Sequence, residues 1–419
     1  MFDSADYSRL AHPVFHFDNI DHAVQQFSKD GIYSVNIGHD HMPLDIFAQN
    51  VTPDAFEANN TLLVGLSGAV IGRRDKHPPF FGFLGVSSKL CKTVPFVSIS
   101  DPSLYMDKNL SLAWYAGNQY IPDIIEKVCY FLDSLAKIYQ CKIVVLGGSG
   151  GGYASLRIVE SIATSNISAF VWNPQTTISN YHGWAVKKYL EICYPDKCAE
   201  NPLPDDGDYS RYFDEFKVIN SVQYVKKKGR IIYFINSDDQ SHIFKHMNNF
   251  FERCVVSRIN DRNFISQNAV IHVGNFGPGH SAPQKQVVIN TIDDILHNKP
   301  IYSCRFIEEN TGKEVLYLDT KTNFYLKNTS PKFYRHGNFL ICSFSLSEFD
   351  GYAVSYTLDD ALGNSRSIAT TADQTVAFDL TSFKSDILKC EFLLESVFGR
   401  QKRQSITIIL TKTKKLNAL

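Results

Sequence analysis

Ile143-Val144-Val145-Leu146-Gly147-Gly148-Ser149-Gly150-Gly151-Gly152-Tyr153-Ala154-Ser155-Leu156-Arg157-Ile158 decides the reading of this chain. The first four residues form a continuous apolar run, the pattern of a strand buried on both faces. Tyr153 to Ile158 reads as a helix. Between them lies a glycine turn with Ser149 at its apex, in a G-x-S-x-G frame. Strand, tight turn and helix in that order form a nucleophile elbow. The glycines have a steric reason: the apex residue is held in a strained backbone conformation, and its neighbours pass close to the adjoining strand and helix. A phosphate-binding turn is the bland alternative. The stretch has no Lys-Ser/Thr ending, and its spacing is not G-x-G-x-x-G.

Strands and helices alternate on both sides of the elbow. Ile32 to Ile37, Leu44 to Ala48, Leu62 to Leu66 and Phe96 to Ser100 read as strands, and Ile121 to Tyr139 carries apolar residues at helical spacing. Downstream, Ala169 to Trp172, Arg230 to Ile235 and Ala269 to Val273 read as strands. His242 to Val255 and Gln284 to Leu296 read as helices. This alternation predicts an α/β-hydrolase fold, a mainly parallel sheet with helices on both faces, over residues 1–299. The segment near 173–222 is polar, aromatic and Pro-rich, and is expected to form a lid. After Lys299-Pro300 short alternating runs take over: Glu314 to Leu318, Phe339 to Phe344, Tyr352 to Tyr356 and Ser405 to Leu410. They predict an all-β, sandwich-like accessory domain over 300–419.

The bulk composition narrows the function. The 419 residues carry 42 basic and 43 acidic side chains, a net charge of -1, so a nucleic-acid binder is disfavoured. There is no apolar run of about 18 residues, so no transmembrane segment is expected. Met1 to Asp6 lacks the basic start and apolar stretch of a signal peptide. The nine cysteines are scattered without a C-x-x-C pair, as expected of reduced thiols in a cytoplasmic protein. Lys412, Lys414 and Lys415 read as a solvated tail.

A serine hydroxyl needs a base within reach, and the base needs an orienting acid. In this fold the order is Ser, then Asp or Glu, then His. Asn236-Ser237-Asp238-Asp239-Gln240 directly follows a strand, where the acid belongs. Asp239 is the expected acid, with Asp238 as the alternative. Phe276-Gly277-Pro278-Gly279-His280-Ser281 follows the next strand and precedes the last helix, which makes His280 the expected base. The oxyanion hole is expected from the N–H of Gly150 and from the turn after the early central strand, at Gly68 or Ala69. Arg73 and Arg74 either flank the pocket, where they would meet an anionic donor, or lie on a solvated surface. His242 and His246, four apart, read as a solvated helix face rather than a metal site. His39-Asp40-His41 puts two histidines on one strand face without a visible third ligand. No metal is expected.

Leu66-Ser67-Gly68-Ala69, Asp101-Pro102 with Leu112-Ala113-Trp114-Tyr115-Ala116-Gly117, Gly147 to Gly151 and Gly279-His280-Ser281 occur in that order. Together, over roughly residues 30–297, they resemble the α/β-hydrolase-like proteins of bacterial capsular polysaccharide biosynthesis. Those in turn resemble bacterial polysaccharide O-acetyltransferases and the acetyltransferase component of accessory secretion systems. The resemblance implies acetyl transfer to a glycan hydroxyl through an acetyl-serine, with acetyl-CoA as co-substrate and no bound cofactor. It implies a capsular polysaccharide acceptor, other capsule-biosynthesis enzymes as partners, and a cytoplasmic location that includes the inner face of the membrane. It supports Ser149, His280 and the Gly68/Ala69 turn, and leaves Asp238 against Asp239 open. Two other readings use the same sequence: a serine esterase or polysaccharide deacetylase, in which water is the acceptor, and a non-catalytic capsule-assembly scaffold.

Overall fold

The computed structural model describes residues 2–86, 94–224, 229–251, 257–258, 262–300, 304–308, 332–336, 338–343, 352–360, 362–371, 375–385, 387–396 and 401–409. The chain divides into two compact units, Met1–Phe250 with Gln267–Lys313, and Phe251–Ser266 with Glu314–Leu419.

The first unit is built on strands β1 (Val14–Phe17), β2 (Gly31–Val35), β3 (Leu44–Gln49), β4 (Thr61–Leu66), β5 (Phe96–Ile99), β6 (Lys142–Gly148), β7 (Ile167–Trp172) and β8 (Arg230–Asn236). Two short strands of the second unit, β9 (Ser257–Arg258) and β10 (Asn263–Ser266), pair antiparallel with each other. Then β11 (Ala269–Gly274) returns to the first. Its strands lie in the order β1-β2-β3-β5-β4-β6-β7-β8-β11. From β5 through β11 every neighbouring pair is parallel, whereas β3 runs antiparallel to both its neighbours.

The two continuous apolar runs of the sequence are the central neighbours β4 and β6. Leu62, Val64, Leu66, Ile143, Val144 and Val145 are fully buried or nearly so. Each such side chain contributes about 1.5–3 kcal/mol by leaving water, so this pair anchors the sheet. The chain leaves β4 for β5 on one side and β6 for β7 on the other, which opens a crevice at their C-terminal ends. The register puts Leu66 beside Gly147, Gly148 beside Trp172, Trp172 beside Phe234 and Asn236 beside Gly274. The loops that follow β4, β6, β7, β8 and β11 therefore leave the sheet at one end.

Helices Ile124–Tyr139 and Lys285–Leu296 are amphipathic, whereas Ser149–Ser161 is buried on every side from Gly150 to Val159. In the first, Ile124, Ile125, Val128, Leu132 and Leu135 are buried, and the helix stops at Gln140 in a left-handed conformation (φ 48°). The segment expected to be a lid holds three helices, Gly183–Cys193, Pro195–Glu200 and Ser210–Phe216. They bury Tyr189, Tyr212, Phe213 and Phe216 among themselves and their surroundings. The helix after β8 spans 240–250, and residues 252–255 of the stretch expected to continue it lie outside the described residues. His39-Asp40-His41 is not a strand: it lies in the loop between β2 and β3, where both rings pack against Phe2. No described helix is long and apolar enough to cross a membrane.

In the second unit, β12 (Lys332–His336), β13 (Phe339–Ser343), β14 (Tyr352–Asp360), β15 (Ser365–Thr371), β16 (Thr375–Asp379), β17 (Ile387–Ser396) and β18 (Gln401–Ile409) form two antiparallel sheets. Their orders are β12-β13-β16 and β15-β14-β17-β18. Alternation works as it should in a half-buried strand: Val376 and Phe378 of β16 point inward while Thr375 and Ala377 are exposed. Leu340, Phe378, Tyr356 and Phe392, from both sheets, share one apolar core, which makes this part a sandwich. The strand expected at Glu314 to Leu318 and the tail lysines lie outside the described residues, as do Cys91 and Cys254.

Candidate active site

β6 ends at Gly148 and a helix begins at Ser149 without a loop between them. Ser149 bears the whole change of direction and has φ 54°, a conformation unfavourable for a residue with a side chain. The close approach that permits it is visible at two glycines. A Cβ on Gly151 would run into the carbonyl oxygen of Leu66, and one on Gly147 into that of Gly151. The turn is thus wedged between β4 and its own helix. As one of the first residues of that helix, Gly150 has an N–H without an intrahelical acceptor.

Gly68 lies alongside. A Cβ there would stand 3.0 Å from the Gly148 carbonyl oxygen, 3.6 Å from Ser149 Cβ and 3.8 Å from the Gly150 nitrogen. Its neighbours in the turn are committed elsewhere: Ser67 N–H donates to the Tyr115 hydroxyl (3.1 Å) and Val70 N–H to the Ser111 carbonyl (2.8 Å). Ala69 is exposed. The tryptophan segment forms the other wall. Leu112 and Trp114 pack on Gly150, and Tyr115 N–H donates to Asp101 Oδ2 (2.6 Å), which fixes Trp114 and Tyr115 with φ 55° and 56°. Burial pushes the Asp101 carboxyl up to about 6 despite its hydrogen bonds from Tyr115 and Ser103.

The acid and base loops come together at the ends of β8 and β11. His280 Nδ1 meets Asp239 Oδ2 at 2.5 Å. Asp238 faces elsewhere, and its Oδ2 accepts the Gly279 N–H at 2.6 Å. The neighbouring aspartates thus divide the work: one pairs with the imidazole, the other pins the loop that carries it. Two buried asparagines complete the clamp. Asn236 donates to the carbonyls of Gly277 (2.8 Å) and Gly279 (2.6 Å) and accepts from Phe276 N–H. Asn173 donates to the Ser281 carbonyl (2.8 Å) and accepts from Asn236 N–H. The left-handed Gly277 (φ 123°) and Gly279 (φ 57°) let the loop fold back on this clamp.

No hydrogen bond joins His280 to Ser149. The hydroxyl accepts one from Gln175 Nε2 at 3.1 Å. Gln175 is fully buried, and its orientation is fixed from behind because its Oε1 accepts from Trp114 Nε1. The side chain of His280 is 40% exposed and stacks on the ring of His242 at 4.1 Å. A line of aromatic contacts runs from Trp114, which holds Gln175, through Tyr181 to His242, which stacks on His280.

Two sequence expectations are corrected. Arg73 neither flanks the site nor faces solvent: it is buried, pairs with Asp3 at 2.7 Å, and donates to the carbonyls of Leu104 and Leu110. Only Arg74 is exposed. His242 and His246 are not a solvated face, since both are buried, because the helix turns them toward Asp239 and the start of the lid. Burial alone would push the Asp239 carboxyl up, but hydrogen bonds from His242 and His280 outweigh it and hold it well below the usual carboxylate range. Gln175, Asn173 and Asn236 were given no role by the sequence reading. The two asparagines had a visible signal, a polar residue closing an apolar strand.

No family model matches the chain, and no curated protein matches it. Solved structures similar to it include the capsule O-acetyltransferase of Neisseria meningitidis serogroup A (13% identity, 63% of this chain and 98% of that one, TM-score 0.40). They also include an S-formylglutathione hydrolase from Agrobacterium tumefaciens (12% identity, 64% and 92%, TM-score 0.36). A third is the acetyl xylan esterase from Aspergillus awamori (13% identity, 64% and 99%, TM-score 0.34). By its own strand order, elbow and loop positions, the first unit has an α/β-hydrolase fold.

Proposed function

We propose that the chain is a serine-dependent O-acetyltransferase that carries acetyl from acetyl-CoA to a hydroxyl of a bacterial capsular polysaccharide. The observation that carries the serine chemistry is the Asp239–His280 pair, held by two buried asparagines at the same end of the sheet as a strained Ser149. The donor and acceptor rest on the motifs that resemble capsular polysaccharide proteins. In this reading His280 closes on Ser149 once substrate is bound, as catalytic hydrogen bonds commonly tighten only then. Nε2 takes the Oγ proton while Oγ bonds to the acetyl carbon. The oxygen charge that develops is met by N–H groups of Gly150 and of Gly68 or Ala69. The carbon–sulfur bond breaks and the thiolate leaves with the proton from His280. A sugar hydroxyl then gives its proton to Nε2, its oxygen takes the acetyl carbon, and Ser149 recovers its hydrogen.

Exposure of the protein to acetyl-CoA alone, followed by mass analysis of the Ser149 peptide, is expected to give one added acetyl group. Addition of polysaccharide is expected to move it to the glycan. Free acetate formed at the same rate with or without glycan favours the esterase or deacetylase reading, and no acetyl on Ser149 under any condition favours the scaffold.

Gln175 is assigned to holding the Ser149 oxygen. Gln175→Glu keeps the acceptor for Trp114 and loses the donor to Ser149. Transfer should fall about 10-fold to 100-fold, since one hydrogen bond to a reacting group is at stake, and the melting temperature should fall as well, because a carboxylate at this buried position loses its hydration. Gln175→Leu also leaves Trp114 Nε1 unpaired, at a further cost to stability of about 1–3 kcal/mol. Steady-state rates and thermal melts of both variants check this. A Glu variant as active as wild type removes Gln175 from the site.

A further inference from the structure

The carboxylate of Asp239 has a second imidazole. His242 Nδ1 lies 3.0 Å from Asp239 Oδ1, the oxygen not used by His280. The backbone N–H of His242 donates to the same oxygen (3.2 Å), so Asp239 caps the helix that carries His242. The two rings that share the carboxylate stack face to face, 4.1 Å apart at 25°. The three side chains are close enough to hold an ion, but two stacked imidazoles share no in-plane point where one ion could meet both lone pairs.

The proton positions follow from the partners. His242 Nδ1 faces a carboxylate and so carries the hydrogen, which leaves Nε2 as a lone pair while the ring is neutral. His246 is the reverse. Its Nδ1 accepts the Thr176 N–H (3.2 Å), so its hydrogen is on Nε2. Among the described residues both Nε2 atoms are buried without a hydrogen-bond partner, and the ring centroids are 4.9 Å apart. A donor and an acceptor, each without a partner among the described residues, thus lie on neighbouring rings. A π-helical turn, Ile243–Met247, carries His246. Such turns are rare and gather at functional sites.

We propose that His242 is a positioning residue for the Asp239–His280 pair, a neutral imidazole that holds the second carboxylate oxygen and lies flat against the His280 ring, with its own tautomer set by Asp239. The inference rests on the functional reading above. Neutrality is what the arrangement requires, because a charged His242 would repel the imidazolium that forms on His280. Burial lowers the His242 pKa in spite of the Asp239 carboxylate, in keeping with that requirement. The charged and titratable groups facing this ring are Asp239 and His246 on its own helix, His280 on the loop after β11, and Tyr181 and His182 from the start of the lid.

The test uses the full chain with p-nitrophenyl acetate as the probe ester. His242→Phe keeps a stacking face and removes the donor. His242→Asn keeps a donor near the Nδ1 position. In the Phe variant kcat is expected to fall about 10-fold to 100-fold with KM little changed. Its acid limb should move to higher pH by about half a unit to one unit, because a carboxylate relieved of one proton donor holds the imidazolium more tightly. His242→Asn should return the limb to the wild-type position. Unmoved limbs in both variants overturn the inference, whether kcat is unchanged or falls along with the melting temperature. Ser149→Ala, run in parallel, separates the two levels: activity surviving there overturns the functional reading itself, whereas an inactive Ser149→Ala beside unmoved His242 variants overturns only the role of His242.

Discussion

Ser149→Ala should abolish acetyl transfer, with a loss of roughly 10,000-fold or more, and should leave the fold intact. The two halves of that expectation have separate causes. The hydroxyl is the only atom removed, and in the proposed chemistry it is the atom that bonds to the acetyl carbon. Residual rate would come only from binding and from N–H groups near Gly150 and Gly68. The backbone, in contrast, is set by what surrounds it. Ser149 keeps φ 54° because Leu66 and Gly151 close the space on either side, and an alanine bears that conformation about as well as a serine. The substitution leaves Gln175 Nε2 without its acceptor, so stability should fall by about 1–3 kcal/mol with the fold kept. Rates of acetyl transfer and thermal melts of the purified variant check both halves. Transfer within tenfold of wild type would remove the serine from the mechanism. A large fall in melting temperature would mean that inactivity reports unfolding.

The sequence carried the parts of this site that are set by local rules. β4 and β6 were legible because strands buried on both faces must be apolar at every position. The elbow was legible because close approach of backbones leaves glycine as the tolerated residue at Gly147 and Gly151. His280 could be placed from its position after the last strand of the sheet. What failed depends on partners far along the chain. Gln175 gains its place from Trp114, 61 residues earlier, and nothing in the local pattern around Pro174 announces that. Arg73 reads as a surface charge until Asp3, 70 residues away, supplies its counter-ion. His242 and His246 have the spacing of a solvated helix face, yet the residue that covers His246 is Thr176, at the start of the lid. The choice between Asp239, the expected acid, and Asp238, its alternative, was only partly legible, for a different reason. Adjacent residues at a helix start point in different directions, and the backbone turn alone decides which reaches the imidazole and which reaches Gly279.

That division between neighbours carries the second large effect. Asp239→Asn should lower kcat about 1,000-fold to 10,000-fold, whereas Asp238→Asn should cost less than about tenfold. The carboxylate of Asp239 accepts from His280 on one oxygen and from His242 on the other. An amide of the same shape must turn its NH₂ toward one of them. If it faces His280, Nδ1 has to accept, the ring hydrogen moves to Nε2, and that nitrogen can no longer take the Ser149 proton. If it faces His242, the amide oxygen that remains for His280 is neutral and stabilises the imidazolium far less. Among the described residues Asp238 accepts only the Gly279 N–H, a task that an asparagine oxygen can keep, so His280 loses little of its anchorage. The two variants should also differ in acid. Hydrogen bonds hold the Asp239 carboxyl below its ordinary value of 3.8. It therefore favours the folded state above that pH, and the contribution disappears as pH falls through the folded value. Asp239→Asn should lose that acid-labile part and unfold with a flatter dependence on pH at the acid end. Steady-state rates of both variants and their unfolding midpoints between neutral and acid pH decide the matter. A greater loss of activity from Asp238→Asn would transfer the orienting role to that residue.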